Sequence, residues 1–202
     1  MKAKLFVKRL FDVVASGVGL LLLSPIFMFI AIWIKKDSQG PVFYRQTRVG
    51  KDGVNFRIHK FRSMRTDADK SGQLTIGNDS RITNSGKFLR KYKLDELAQL
   101  IDVFIGTMSL VGPRPEVPEF MDLYPHNERK LILSVKPGIT DKASIEMVDE
   151  NEILGKYVDP RQAYVDVIMP MKAKYYIDYA ENHTFLGDIK LIFQTILKII
   201  TR

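Results

Sequence analysis

Asp95 and Glu96 are adjacent carboxylates near the middle of the chain. Neighbours on a helix point about 100° apart, so both can face one cleft in different roles. One could attack a phosphorus atom, since carboxylates are covalent nucleophiles toward phosphoryl groups. The other could hold a divalent cation, because Mg²⁺ is bound by one or two carboxylates plus substrate phosphates. The pair alone is a weak sign, as acidic residues in a first helical turn commonly just complement the macrodipole. Its surroundings strengthen it. Lys87, Arg90, Lys91 and Lys93 lie just upstream, Lys60, Arg62 and Arg65 lie further back, and Arg114 is set between Pro113 and Pro115. Arg offers bidentate contacts and Lys a point charge, a set that suits a pyrophosphate. The two prolines reduce the entropy lost in fixing Arg114. For Lys91 and Lys93, a solvated basic face touching lipid headgroups is the plainer account.

Several elements must position these groups. Phe88 to Ile105 reads as helical with a break around Tyr92, because Leu94, Leu97, Ala98, Ile101 and Phe104 recur at helical spacing and Gly106 is a stop. Val42-Phe43-Tyr44 and Val54 to Ile58 read as two strands of a hairpin around the turn Gly50-Lys51-Asp52-Gly53. Thr66 to Ser80 is polar and reads as a mobile loop. Gly112-Pro113-Arg114-Pro115 cannot be helix interior, Glu119 to Leu133 reads as helix interrupted near Pro125, and Lys136 to Thr140 reads as a turn. Asp149 to Asp159 is polar and acidic. Phe185 to Ile200 is amphipathic, with Phe185, Ile189, Ile192, Phe193, Ile196 and Ile200 in one stripe. Such a helix packs on a core or lies in the headgroup plane.

The N-terminal region sets where the chemistry happens. Val13 to Ile34 carries no charge, and about 22 apolar residues are enough to cross a bilayer. Ser24-Pro25 lies at its centre, where Pro removes a donor and clashes with the preceding turn. Basic residues flank both ends: Lys2, Lys4, Lys8 and Arg9 before, Lys35 and Lys36 after. Positive charge marks the cytoplasmic side, so both ends ask for the same side. The expectation is a broken helix that enters and leaves through one leaflet. A cleaved signal peptide fits poorly, because the run is long and ends in Trp33-Ile34-Lys35-Lys36 rather than at small residues. A single span with a Pro kink is the other reading.

The bulk numbers bound the partners. The net charge is +8, which calls for an acidic partner such as phosphate, nucleotide or anionic lipid. Nucleic acid is not expected, since no aromatic–basic platform or known binding motif appears. The chain has no cysteine, which excludes disulfides and thiol chemistry. His59, His126 and His183 lack metal-type spacing, and neither a Walker loop nor GxGxxG is present. A non-catalytic basic adaptor on a membrane surface would need neither the Asp95-Glu96 pair nor an ordered Arg114.

Seven motifs occur in order: Lys8-Arg9-Leu10-Phe11-Asp12, Ser24-Pro25, Gly40-Pro41-Val42-Phe43, Lys60-Phe61-Arg62-Ser63-Met64, Leu94-Asp95-Glu96-Leu97-Ala98-Gln99-Leu100, Gly112-Pro113-Arg114-Pro115 and Lys136-Pro137-Gly138-Ile139-Thr140. Together they resemble the bacterial sugar transferase family, the small monotopic phosphoglycosyl transferases, over nearly the whole chain. The resemblance implies transfer of a sugar-1-phosphate from a UDP-sugar to a polyprenol phosphate, usually undecaprenyl phosphate, with release of UMP. This would be the first membrane step of polysaccharide or glycoconjugate assembly. It implies that Asp95 is the nucleophile of a covalent phosphosugar intermediate and that Glu96 binds Mg²⁺. Lys60, Arg90 and Arg114 match basic positions near the phosphates, and Arg62 joins them as a substrate-phosphate residue. Ser24-Pro25 matches the point where the membrane helix turns back. The implied partners are the donor, the lipid acceptor and membrane lipid, and a homodimer is compatible with them. The implied location is the cytoplasmic face of the bacterial inner membrane.

After Thr140 the chain departs from the commonest family pattern, which continues with Gly, an apolar residue and Ala-Gln-Val, and later Asn-Gly-Arg. Here the run is Asp141-Lys142-Ala143-Ser144-Ile145, and Val148 to Glu152 is acidic. Tyr175 to Tyr179 carries a related but shifted Asp/Tyr pattern. This region is expected to touch the nucleotide sugar. The resulting fold expectation is α+β: a re-entrant, broken membrane helix over residues 1–36, then a cytoplasmic, mostly helical catalytic domain over 37–202. That domain has a short β-hairpin and interfacial amphipathic helices.

Overall fold

A computed structural model describes residues 2–68, 79–147 and 150–201. The chain opens with one long helix, α1 (Lys2–Asp37), which contains Pro25. Among the described residues it is the one helix long and apolar enough to cross a membrane. Helical structure continues through Ser24-Pro25 instead of stopping there. The reason is local. Pro25 has no N–H to give the Leu21 carbonyl, and the Ser24 hydroxyl donates to that oxygen instead at 2.8 Å.

Both halves of α1 rest on the rest of the protein. On the N-terminal half, the Arg9 guanidinium donates to the carbonyls of Val103 and Phe104, and Asp12 accepts from the Leu110 N–H at 3.1 Å. On the C-terminal half, Ile30 and Ile34 are buried with Phe61, Leu89 and Ala98, and Asp37 accepts from the Ser85 N–H and hydroxyl at 2.8 Å each. Fully burying a side chain such as Ile34 or Phe61 contributes about 1.5–3 kcal/mol. The outward face keeps large apolar groups in the open, including Leu21, Leu22, Met28 and Phe29.

Strands β1 (Phe43–Val49) and β2 (Asn55–Phe61) form an antiparallel hairpin with Phe43 opposite Phe61. It is longer than the apolar alternation marks, because the sequence at Arg45 to Arg48 is polar yet pairs fully with Phe56 to His59. After the hairpin come α2 (Asn84–Lys91), a 3₁₀ turn over Leu94–Gln99 and α3 (Leu100–Ile105). The expected break at Tyr92 is present. Lys93 adopts a left-handed conformation (φ 56°) and separates α2 from the 3₁₀ turn, and Gly106 (φ 98°) ends α3 as expected. Of the loop expected over Thr66 to Ser80, residues 69–78 lie outside the described residues.

Strand β3 (Ser109–Val111) pairs in parallel with β4 (Gly138–Thr140). The latter corrects the reading of Lys136 to Thr140 as a simple turn. Its three strand residues follow directly on the Pro137-Gly138 turn signal, and a pair this short has no alternation to read. Between the two strands lie α4 (Pro118–Met121) and α5 (His126–Ile132), separated near Pro125 as expected. Four further helices follow: α6 (Lys142–Glu146), α7 (Glu150–Leu154), α8 (Pro160–Ala163) and α9 (Met169–Asn182), with a π-type turn at Tyr164–Ile168. They enclose a second core around Phe120, Leu154, Ile168 and Tyr176. The last helix, α10 (Phe185–Ile200), matches its expected span. Its buried residue is Asp188, while Leu186 is 80 % and Ile200 76 % exposed. The helix therefore leaves large apolar side chains in the open while Ile189 and Ile192 are half-buried.

Candidate active site

Leu94 and Ala98 pack into the cluster that α1, β2 and α2 share. With that face of the 3₁₀ turn committed, Asp95 and Glu96 line a cavity of about 930 Å³, within the size range of small-molecule sites. Thirteen lysines and arginines and four carboxylates line it among the described residues. Such a wall favours a polyanion.

The expected residues converge there with different bonding. Glu96 is held between two cations: Lys60 Nζ lies 3.1 Å from Oε1, and the Arg114 guanidinium forks onto both oxygens, with Nη1 3.2 Å from Oε2. Burial by itself would raise the Glu96 pKa, but Arg114 and Lys60 overcome it and hold the carboxyl well below the usual carboxylate range. Lys60 responds in the opposite sense, and burial lowers its pKa to about 8 against the pull of Glu96. Asp95 differs from its neighbour. It is buried, and its Oδ1 has no hydrogen-bond partner. Burial first, and the Glu96 charge second, raise its pKa, opposed by Lys60, Arg90 and Lys93. One carboxylate is therefore locked in an ion-pair cluster, and the other is desolvated, uncommitted at one oxygen and surrounded by positive charge.

Arg90 lines the same cavity. Arg62 also lines it, yet its terminal nitrogens donate to the carbonyls of Ser38, at 2.8 Å, and Gln39. That arrangement fastens the turn after α1 to the end of β2. Arg114 is fixed by its loop. The Pro113 carbonyl accepts from Gly138 N–H at 3.0 Å, the Pro115 carbonyl accepts from Arg48 at 2.9 Å, and Glu116 carbonyl accepts from Val49 N–H at 2.9 Å. Sequence reasoning did not single out Arg48, whose buried Nε has no partner and which lines the cavity. Nor did it single out Glu116, Tyr164 or Lys172. Polar alternation in β1 was the available sign for Arg48. The other three are brought together from distant segments, and no local pattern marks them.

No group of three or more metal-ligating side chains exists among the described residues. Two adjacent carboxylates are nonetheless enough for Mg²⁺, which takes the rest of its shell from water and phosphate. The unpartnered Asp95 Oδ1 is the carboxylate oxygen open to a cation, and Glu96 would join it by giving up a Lys60 or Arg114 contact.

Carboxylates set in a cavity walled by basic side chains, packed along a long apolar helix, make a candidate site whose charge complements phosphates. The chain belongs to the bacterial sugar transferase family, which it matches over residues 3–202. It is 38 % identical over 195 residues to the UDP-glucose:undecaprenyl-phosphate glucose-1-phosphate transferase of Escherichia coli (strain K12), covering 95 % of this chain but 39 % of that protein. It is 35 % identical over 199 residues to the UDP-N-acetylgalactosamine-undecaprenyl-phosphate N-acetylgalactosaminephosphotransferase of Aeromonas hydrophila, covering 97 % of this chain and 44 % of that protein. The chain thus spans less than half the length of these relatives. The exopolysaccharide production protein PSS of Rhizobium leguminosarum bv. phaseoli is of similar length. It is 36 % identical over 207 residues, covering 98 % of this chain and 97 % of that protein.

Proposed function

We propose that this protein transfers a sugar-1-phosphate from a UDP-sugar to a polyprenol phosphate, undecaprenyl phosphate by the relatives' names, with release of UMP. The observation that carries the reading is the buried Asp95 with an unpartnered Oδ1, set beside the Lys60–Glu96–Arg114 cluster in a basic cavity. An Asp95 oxygen attacks the phosphorus that bears the sugar. The bond from that phosphorus to the bridging oxygen breaks, and UMP leaves with the oxygen. A phosphate oxygen of the polyprenol then attacks the same phosphorus, the bond to Asp95 breaks, and the product is a polyprenyl diphosphosugar. Arg114, Lys60 and Arg90 offset the charge of the phosphates, a preorganised electrostatic effect that is commonly the largest catalytic contribution. Glu96, on exchanging a Lys60 or Arg114 contact, would hold Mg²⁺ beside Asp95, and the ion would supply Lewis-acid neutralisation of the diphosphate.

The test is UMP release from a panel of UDP-sugars in detergent, with and without polyprenol phosphate and Mg²⁺. Binding to anionic vesicles with no UMP release from any donor would instead favour the non-catalytic adaptor. Lys60 adds a pH signature. Its charge helps to bind the donor and is lost as pH rises through about 8. kcat/KM, which reports free-enzyme pKa values, should therefore fall on the alkaline side with a midpoint near 8. Lys60→Gln should remove that limb while lowering the plateau.

The site is proposed to sit at the cytoplasmic face of the bacterial inner membrane, over an α1 that enters and leaves through one leaflet. Support comes from the polar contacts at both its ends. Lys8 pairs with Asp188 at 2.6 Å, and Asp37 accepts from Ser85. A helix crossing the roughly 30 Å hydrocarbon core would carry those two ends to opposite sides, out of reach of one domain. The chain has no cysteine, so probes are simple to place. Leu5→Cys and Ser38→Cys should both label with an impermeant thiol reagent from the cytoplasmic side of inverted vesicles, and labelling from opposite sides would establish a span.

A further inference from the structure

The cavity has two chemically different ends. One holds the cations around Asp95 and Glu96. The other is walled by α7, the π-type turn, α9 and the segment after Arg114, and its polar groups form a single chain. Tyr164 hydroxyl donates to Glu116 Oε1 at 2.7 Å, Lys172 Nζ donates to the Tyr164 oxygen at 3.2 Å, and Lys172 pairs with Glu150 at 2.8 Å. All four residues line the cavity. Glu116, Tyr164 and Lys172 are each at most 5 % exposed, and Glu150 is the partly open member. Phe120, whose ring lies 4.7 Å from that of Tyr164, and Met147 and Leu154 supply apolar surface beside them.

This wall is not needed to hold a diphosphate. Its one ammonium is already shared between Glu150 and the Tyr164 oxygen, the neighbouring Arg48 guanidinium is offset by Glu116, and the carboxylates would repel a phosphate. It does complement hydroxyl groups, each of which donates once and accepts twice. Carboxylate oxygens take the donated protons, the remaining N–H of Lys172 answers a lone pair, and the apolar neighbours cover a ring's C–H face. A sugar carboxylate would meet Glu150 with Lys172 already engaged. We propose that the Glu116–Tyr164–Lys172–Glu150 chain reads the hydroxyl groups of an uncharged donor sugar and sets which UDP-sugar is accepted. The inference rests on the proposed transferase reading. It also gives a use to the stretch after Thr140 that departs from the family pattern, since α7 lies within that departure.

A site built to hydrogen-bond a hydroxyl discriminates strongly against a sugar that presents it differently, because its polar groups are then left unpaired. The test measures kcat/KM for UDP-glucose, UDP-galactose and their N-acetylamino counterparts, together with the inhibition constant of UMP, in wild type, Glu150→Gln and Lys172→Met. Glu150→Gln is the safer variant for folding because Glu150 is partly exposed. The expected result is a change of about tenfold or more in the ratio between the preferred donor and its epimer, with UMP inhibition within about twofold of wild type. Loss by one common factor for all donors, or UMP inhibition weakened in parallel, would overturn the inference and assign the wall to uridine or to support. Wild-type protein that releases no UMP from any donor would overturn the transferase reading and this inference with it. Wild-type activity with an unchanged donor ranking in Glu150→Gln overturns this inference alone.

Discussion

Asp95→Asn should lower UMP release by at least about 10³-fold, the order expected when a covalent nucleophile is removed. With donor radiolabelled in the sugar phosphate, wild-type protein held without lipid acceptor should carry label through denaturation, and the variant should carry none. The substitution is nearly isosteric and removes a charge that burial already disfavours, so the fold should be retained. An equal melting temperature would attribute the loss to chemistry. Full activity in the variant would end the proposal that Asp95 is the nucleophile. Loss of activity with a retained adduct would move the nucleophile to another residue. Glu96→Gln offers a comparison. It strips Lys60 and Arg114 of their shared partner, so it should disturb donor binding as well as turnover.

Gly138→Ala is the second large effect, and it acts through backbone contact. A Cβ at Gly138 would sit 2.1 Å from the Gly112 nitrogen, and one at Gly112 would sit 2.3 Å from the Lys136 carbonyl oxygen. The obstruction in each case is backbone, which cannot rotate away. At this seam β3 and β4 pair, and the loop carrying Arg114 leaves from it. Overpacking of this kind costs about 1–3 kcal/mol or more, which lowers Tm by roughly 2–12 °C for a chain of this size. Differential scanning fluorimetry in detergent would read that shift. Kinetics should show a raised donor KM, because Arg114 is displaced from Glu96 and the phosphates. An unchanged Tm would mean that the two strands can separate without cost, and that the seam does not hold Arg114.

Much of this arrangement was legible from residue order. The break at Tyr92-Lys93, the stop at Gly106 and the full span of α10 follow from helical spacing and glycine. Lys60, Arg90, Asp95, Glu96 and Arg114, named from a carboxylate pair and its surrounding charge, do line one cavity. What was hidden has a physical cause in each case. The parallel pairing of β3 and β4 joins two three-residue segments that are 29 residues apart in register, Ser109 with Gly138, and no local periodicity encodes such a contact. Glu116, Tyr164 and Lys172 form their chain only because α4, α8 and α9 surround one core, and each alone looks like an ordinary surface polar residue. Arg62 shows the converse. Its place in a basic motif marks it for phosphate, while its bonds to Ser38 and Gln39 tie down a turn. The helix through Ser24-Pro25 likewise continues because a hydroxyl replaces a missing donor, a substitution that a Pro-based rule overlooks.

The apolar cluster of Ile30 and Ile34 with Phe61, Leu89 and Ala98 has a practical consequence for anyone seeking a soluble form. Ala98 is in the same short turn as Asp95, and Phe61 follows Lys60. Cutting the chain after Lys36 would remove Ile30 and Ile34 from behind the turn of Asp95 and Glu96 and leave Leu110 N–H without Asp12. The first helix is therefore less a tether than the backing of the turn that carries Asp95 and Glu96, and solubility gained by trimming it would come with a collapsed or aggregating site. Catalysis should for the same reason respond to the thickness and order of the lipid around α1, because whatever tilts that helix also moves the back of the turn that presents Asp95.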